Sequence, residues 1–311
     1  MNPVYVALAY LGLFVGTAAL LVFLRARSRQ ERAPFPDHLR LLRAPGESLR
    51  ARLAVAEEAL LDRFFLLIGL PAVAYGALLY LATTLREQHP YTATTLVFIG
   101  LLGLLTSFYV GVRQLVALID LRRNLRLGYF GERVVAEHLE PLKAAGFRVF
   151  HDLPAGEPSG NASASRNLDH VVVGPTGIFA LETKTRRKGR ARVGFMAHEI
   201  IYDGHTLAYP WGEDRHGLEQ AETQARWLAE FLENQLGRAV PVTPVLVFPG
   251  WTVLRKNRGL VHVLSPRELP DFVARPPAPP DFAGFVPPQP DAATLELIVR
   301  ELEQRCRDVE L

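Results

Sequence analysis

A mixed α/β domain behind a bundle of three membrane-crossing helices is the architecture that the sequence predicts, and three observations predict it. Of the 311 residues, 49% are hydrophobic and only 22% charged, too apolar for a disordered chain and high for a purely soluble protein. Three stretches of 22 residues, Pro3 to Leu24, Phe64 to Leu85 and Tyr91 to Val112, contain no charged side chain. From Leu127 onward helical and strand-like segments alternate with short turns, the texture of a mixed sheet flanked by helices.

The membrane module is expected over residues 1–126. At roughly 1.5 Å per residue, a 22-residue helix reaches about 33 Å, enough to cross a hydrocarbon core. The first run lacks a basic segment before it and exceeds the apolar core of a cleaved signal sequence, so it reads as a span. Between spans one and two, in the loop 25–63, nine arginines outnumber six acids, and Arg113, Arg122, Arg123 and Arg126 follow span three. Both flanks are therefore expected in the cytoplasm of an inner-membrane protein, with the amino terminus outside and the large carboxy-terminal portion inside. Only Arg86 to Pro90 separate spans two and three, which predicts a tight helical hairpin. In the loop, Leu49, Leu53, Ala56 and Leu60 recur at helical spacing away from Arg50, Arg52, Glu57 and Glu58, an amphipathic helix leading into span two. No ionisable side chain lies inside a span, which argues against ion or proton transport.

The α/β domain is expected over 127–275. Leu127 to Ala145 reads as a helix ended by Gly146, and Phe147 to His151 as a strand. Pro154 to Arg166 is polar and small, a loop by composition. Leu168 to Val173 and Ile178 to Lys184 are strands joined by Gly174-Pro175-Thr176-Gly177, a hairpin whose proline presets the turn and whose glycine accepts a positive φ. A short strand near Glu199 to Tyr202, a helix over about Leu218 to Leu236, and strands at Val242 to Phe248 and Val261 to Leu264 complete the domain. Residues 276–290 hold seven prolines in fifteen positions, a linker by composition. Asp291 then reads as the N-cap of a last helix, within 291–311, carrying Leu295, Ile298, Leu302 and Cys306.

Charge and cysteine usage narrow the chemistry. The net charge is +3, yet residues 113–311 hold 25 Lys plus Arg against 25 Asp plus Glu, so bulk charge makes no case for nucleic acid. The lone Cys306 excludes an internal disulfide framework and a zinc site of several thiolates, and fits a reducing compartment.

The informative residues are polar ones at apolar positions. In the predicted hairpin Val173 opposes Ile178 and Asp169 opposes Glu182, while alternation puts Glu182 and Lys184 on one face and Thr183 on the other. Glu132 shares a helix face with Val135, Leu139 and Leu142, so it should look toward the sheet. Buried carboxylates cost several kcal/mol each unless cations compensate. A divalent ion such as Mg²⁺ or Mn²⁺ would compensate, and would suit oxygen donors and phosphoryl chemistry beside the Lys184 ammonium. The same residues also admit an internal Lys–carboxylate pair with a spare acid, and Glu132 a first-turn capping role. His170 turns to the face opposite Asp169 and is no part of the expected site.

The run Gly128-Tyr-Phe-Gly131-Glu132, followed by Asn167-Leu-Asp169-His-Val-Val-Val-Gly174-Pro-Thr-Gly177-Ile-Phe-Ala-Leu-Glu182-Thr-Lys184, closely resembles the nuclease-related domain (NERD), a branch of the PD-(D/E)XK restriction-endonuclease-like superfamily. The resemblance covers roughly Leu127 to Leu264 and implies a restriction-endonuclease-like fold. It implies that Asp169 and Glu182 bind metal, that Lys184 positions or activates the attacking water, and that Glu132 supports the site. Gln220 matches a glutamine common in this branch, with a supporting polar role, though it also suits an exposed helix position. The implied activity is metal-dependent hydrolysis of phosphodiester bonds in nucleic acid, DNA foremost. Arg186, Arg187, Lys188, Arg190 and Arg192, beyond Lys184 with no acid among them, could hold a phosphate backbone, or equally face solvent or lipid headgroups. Arg255, Lys256 and Arg258 form a weaker basic cluster, and Tyr209 and Trp211 are aromatic enough to stack bases but also suit a core. The rival expectation is a non-catalytic, membrane-tethered module that binds nucleic acid or protein.

Overall fold

The computed structural model describes residues 40–155, 166–277 and 290–309, together with Tyr5, Gly12 and Gly16. The predicted first span, most of the polar loop 154–166 and most of the proline-rich segment 276–290 lie outside the described residues. The chain divides into two units, Met1–Asp37 with Arg52–Asn124 and Leu311, and His38–Ala51 with Leu125–Glu310.

The described residues of the first unit are helical. Helix α1 (Glu47–Phe64) passes through a π-helical stretch, Phe65–Gly69, into α2 (Leu70–Leu85), and α3 (Pro90–Ala144) follows after a short turn. Leu49, Leu53, Ala56 and Leu60 form the less exposed face of α1, as their spacing requires, and Arg50, Arg52, Glu57 and Glu58 are exposed. Two continuous helical stretches, Glu47–Leu85 and Pro90–Ala144, are long and apolar enough to cross a membrane, and they contain the predicted second and third spans. They approach closely where glycine allows it. A Cβ on Gly111 would lie 3.1 Å from the Leu67 side chain, and the Ser107 hydroxyl donates to the Leu67 carbonyl at 2.8 Å. The helix expected over 127–145 is the last part of α3, because nothing between Val112 and Leu127 breaks a helix.

The second unit is built on a five-stranded mixed sheet. Strands β2 (Arg148–Ala155), β3 (Arg166–Gly174), β4 (Gly177–Thr183), β8 (Val242–Val247) and β10 (His262–Leu264) lie in the order β10-β8-β4-β3-β2. β2, β3 and β4 are antiparallel neighbours, whereas β4, β8 and β10 are parallel. The hairpin register is the expected one, with Val173 opposite Ile178 and Gly174 opposite Gly177, whose φ is +134°. Alternation along β3 and β4 buries both faces. Val171, Val173, Ile178 and Ala180 face α4 (His216–Leu236), and Val172, Phe179 and Leu181 pack with Val135, Leu139 and Leu142 of α3.

A second sheet was not legible in the residue pattern, apart from β5 (Glu199–Tyr202). β6 (Leu207–Tyr209), β7 (Gly212–Asp214) and β9 (Thr252–Arg255) join it in the order β7-β6-β5-β9. A short helix, α5 (Leu269–Ala274), follows β10. The last helix, α6 (Ala292–Cys306), is capped by Asp291, whose side chain accepts the Thr294 N–H at 2.8 Å. Its Ile298, Leu302 and Cys306 are buried in the same cluster as Phe150, Leu153 and Leu168 of the main sheet. β11 (Arg307–Val309) then pairs with β1 (Leu41–Leu42), bringing residues far upstream of α3 into this unit.

Candidate active site

The hairpin places two acids at the end away from its turn. Backbone pairing of β3 with β4 stops at His170 opposite Leu181, one residue short of Asp169 and Glu182. There the Asp169 carboxylate takes over from the ladder and accepts the Thr183 N–H at 2.7 Å. Glu182, 2% exposed, has Oε1 2.7 Å from the Lys184 ammonium, and its Oε2 accepts from Gln224 Nε2 at 2.5 Å. Lys184 Nζ also donates to Gln220 Oε1 at 2.7 Å, while its backbone N–H continues the sheet to Val247 O at 2.9 Å. Glu182, Lys184 and Gln220 thus form one connected chain of polar contacts, on the shared face that alternation requires.

Glu132 reaches this region from α3. It is 6% exposed and accepts the Gly46 N–H. The glycines around it explain the Gly128-Tyr-Phe-Gly131-Glu132 run physically. A Cβ on Gly131 would lie 2.0 Å from Thr185 Cγ2, so only glycine lets α3 meet the chain just beyond Lys184.

The three acids resist ionisation together. Burial, then the charges of Asp152 and Glu182, pushes the Glu132 carboxyl up to about 8. Burial, then Glu182 and Glu132, raises Asp169 well above the usual carboxylate range. Burial raises Glu182 as well, although Lys184 and Gln224 pull it back. Negative charge therefore outruns its compensation, since one ammonium contacts Glu182 alone among the three.

Whether a hard cation suits these residues can be judged from the oxygens left over. Glu132 Oε2, Asn167 Oδ1, Thr183 Oγ1 and Gln224 Oε1 are buried and make no hydrogen bond. Unpaired oxygens such as Glu132 Oε2 and Gln224 Oε1, beside carboxyls that resist ionisation, are of the chemistry that Mg²⁺ or Mn²⁺ accepts, and Asp169 and Glu182 would be the carboxylates to hold such an ion. Among the described residues no three His, Cys, Asp or Glu gather as a ready-made cage, so the structure singles out no coordination sphere shared by all three acids.

Several participants escaped the sequence reading. Gln224 lies four residues after Gln220, on the helix face of Leu218, Ala221, Ala225 and Leu228, and that spacing was its available signal. Asp152 and Asn167 carry no such mark. Asp152 is 4% exposed, with φ +50°, and accepts from Arg43, Ser48 and Asn167. His170, as expected, lies on the other face, where its Nδ1 meets His151 Nδ1 at 2.8 Å.

The basic stretch is held in place by aromatic rings. Arg186 pairs with Asp214 at 2.8 Å and lies 5.7 Å over the Tyr209 ring, and Lys188 lies 5.7 Å over Trp251. Trp211, 40% exposed, stacks on Tyr209, and Gly189 approaches its indole so closely that a Cβ would sit 3.3 Å away. Tyr209 is core and Trp211 is half covered, while Arg187, Lys188, Arg190 and Arg192 are exposed. Arg255, Lys256 and Arg258 instead line a separate cavity of about 510 Å³ with Tyr202, His262 and Phe272, which contains none of the site residues above.

Residues 127–249 match the family model described as nuclease-related domain, NERD. No curated protein and no solved structure matches the chain. The matched stretch runs from the end of α3 through the hairpin and α4 to just past β8, and so contains Glu132, Asp169, Glu182, Lys184 and Gln220. Residues 127–249 are thus the part of this chain that is similar to the nuclease-related domain.

Proposed function

We propose that the protein is a membrane-anchored, metal-dependent nuclease of the cytoplasmic membrane, hydrolysing phosphodiester bonds in nucleic acid, DNA foremost. The observation that carries this reading is the Glu182–Lys184–Gln220 chain beside half-buried Asp169 at the end of the central hairpin and buried Glu132 of α3. Asp169 and Glu182 would hold Mg²⁺ or Mn²⁺, which when bound lowers the pKa of a water and neutralises charge at phosphorus. Gln220 orients the Lys184 ammonium, which faces the negative charge of the phosphoryl group as a bond to water forms and the bond to the sugar oxygen breaks. Glu132 adds negative charge that strengthens the demand for a cation. Arg187, Lys188, Arg190 and Arg192, exposed just beyond Lys184 in the chain, hold the phosphate backbone, so affinity falls steeply with salt. The two long apolar helices, together with the first span predicted from residues 3–24, anchor the chain, with the amino terminus outside and residues 127–249 in the cytoplasm.

The test uses the full chain in detergent with DNA and Mg²⁺ or Mn²⁺. Lys184→Ala should lower cleavage by about 100-fold or more, the usual scale for losing a charge-stabilising group. Equal cleavage by that variant removes the assignment. One observation favours a second reading, a tethered binding module without turnover: Lys184 is already the counter-ion of Glu182. Salt-dependent binding that is indifferent to metal, with no cleavage, would establish it.

A further inference from the structure

We propose that residues 43–48, far upstream of the nuclease-related domain, are a positioning arm of its acid site, latched on Asp152 and acting on Glu132 through Gly46. The inference rests on the metal reading above and adds to it a segment that lies outside the matched residues 127–249.

The latch is a dense web. Asp152 Oδ2 accepts from Arg43 Nη1 at 2.9 Å, from Ser48 N at 2.9 Å and from the Ser48 hydroxyl at 2.6 Å. Its other oxygen accepts from Asn167 Nδ2 at 3.0 Å, and Asn167 Nδ2 also donates to Ser48 Oγ at 2.6 Å. Arg43 is shared, since its guanidinium forks onto Asp308 at 2.7 and 2.8 Å while its backbone N–H donates to Cys306 O at 3.0 Å. Asp152 accepts all this with φ +50°, a left-handed conformation that aspartate adopts where its side chain is hydrogen-bonded locally.

Two outputs of the web touch the site. Gly46, with φ +70°, lies so close to α3 that a Cβ would meet the Tyr129 ring at 2.7 Å, and from there its N–H donates to the Glu132 carboxylate. Asn167 stands two residues before Asp169 on β3, and its carbonyl faces Gln224 Nε2 at 3.4 Å, the amide that also holds Glu182. The arm therefore grips two sides of the acid cluster, through Glu132 and through the start of β3. Groups that orient ligands from behind typically change metal affinity 10- to 100-fold when removed.

Mn²⁺ binding by the full chain in detergent, followed by calorimetry, tests this without any cleavage assay. Asp169→Asn should abolish the signal and so identify it with the acid site. Ser48→Ala should weaken Mn²⁺ binding about 10-fold, and Ser48→Thr, which keeps the hydroxyl, should restore it. Unchanged binding in Ser48→Ala overturns the proposal and leaves the metal reading standing. If Ser48→Ala does not fold, Arg43→Lys decides instead: it keeps the charge and loses the fork between Asp152 and Asp308, so weakened binding supports the arm and parent-like binding overturns it. A parent chain that binds no Mn²⁺ overturns the metal reading and the arm with it.

Discussion

Glu132 has one donor, the Gly46 N–H, and sits buried near Asp152 and Glu182, so its carboxyl is held up to about 8 against an ordinary value of 4.5. Between those two pH values the unfolded chain has released the proton and the folded chain has kept it. Stability therefore falls as pH rises from about 4.5 to about 8. Glu132→Gln removes the ionisation and keeps an oxygen for Gly46. It should raise the unfolding free energy at pH 8 by roughly 1–3 kcal/mol and leave it little changed at pH 4.5. Parallel pH profiles for parent and variant would show that Glu132 is not the group responsible. A residue that destabilises the metal-free domain at working pH is expected where folding and function make opposite demands. The Asp169, Glu182 and Lys184 side chains were legible because strand alternation is local. Asp152 was not, since nothing in its neighbours announces a positive φ.

Elements tell the same story through their lengths. The hairpin was readable from Gly174-Pro175-Thr176-Gly177, because turn chemistry and the apolar runs on either side sit within a few residues. Strands of three or four residues such as Leu207–Tyr209 and Gly212–Asp214 carry too short a period to register, and only their pairing defines them. The last helix was recognisable by its N-cap and stripe, yet the proline-rich segment before it made it look appended. Ile298, Leu302 and Cys306 are instead buried against β2 and β3. Leu302→Ala should accordingly cost about 2–5 kcal/mol in denaturant unfolding of the second unit, as expected for a fully buried leucine. A loss below about 0.5 kcal/mol, typical of surface positions, would place the helix outside the core.

For the whole molecule the apolar helices decide the setting. Phe98, Leu102, Leu105 and Phe108 of α3 are exposed large hydrophobic side chains on a helix of 55 residues. Water tolerates such a surface poorly and a bilayer accepts it. The chain should stay with the membrane pellet after alkaline carbonate washing and leave it only with detergent, and release by carbonate alone would remove the membrane anchor. The sequence by itself determined the apolar runs, the hairpin register, the capped last helix and the acid–lysine face, because each depends on spacing within one turn, one helix or one strand pair. Only the tertiary structure decided that Gln224 holds Glu182, that the last helix completes the core, and that residues 43–48 reach the acid site. Those arrangements join residues that lie from 42 to more than 100 positions apart, and the free energy that selects them comes from burial and hydrogen-bond closure over the assembled fold, which no local pattern encodes.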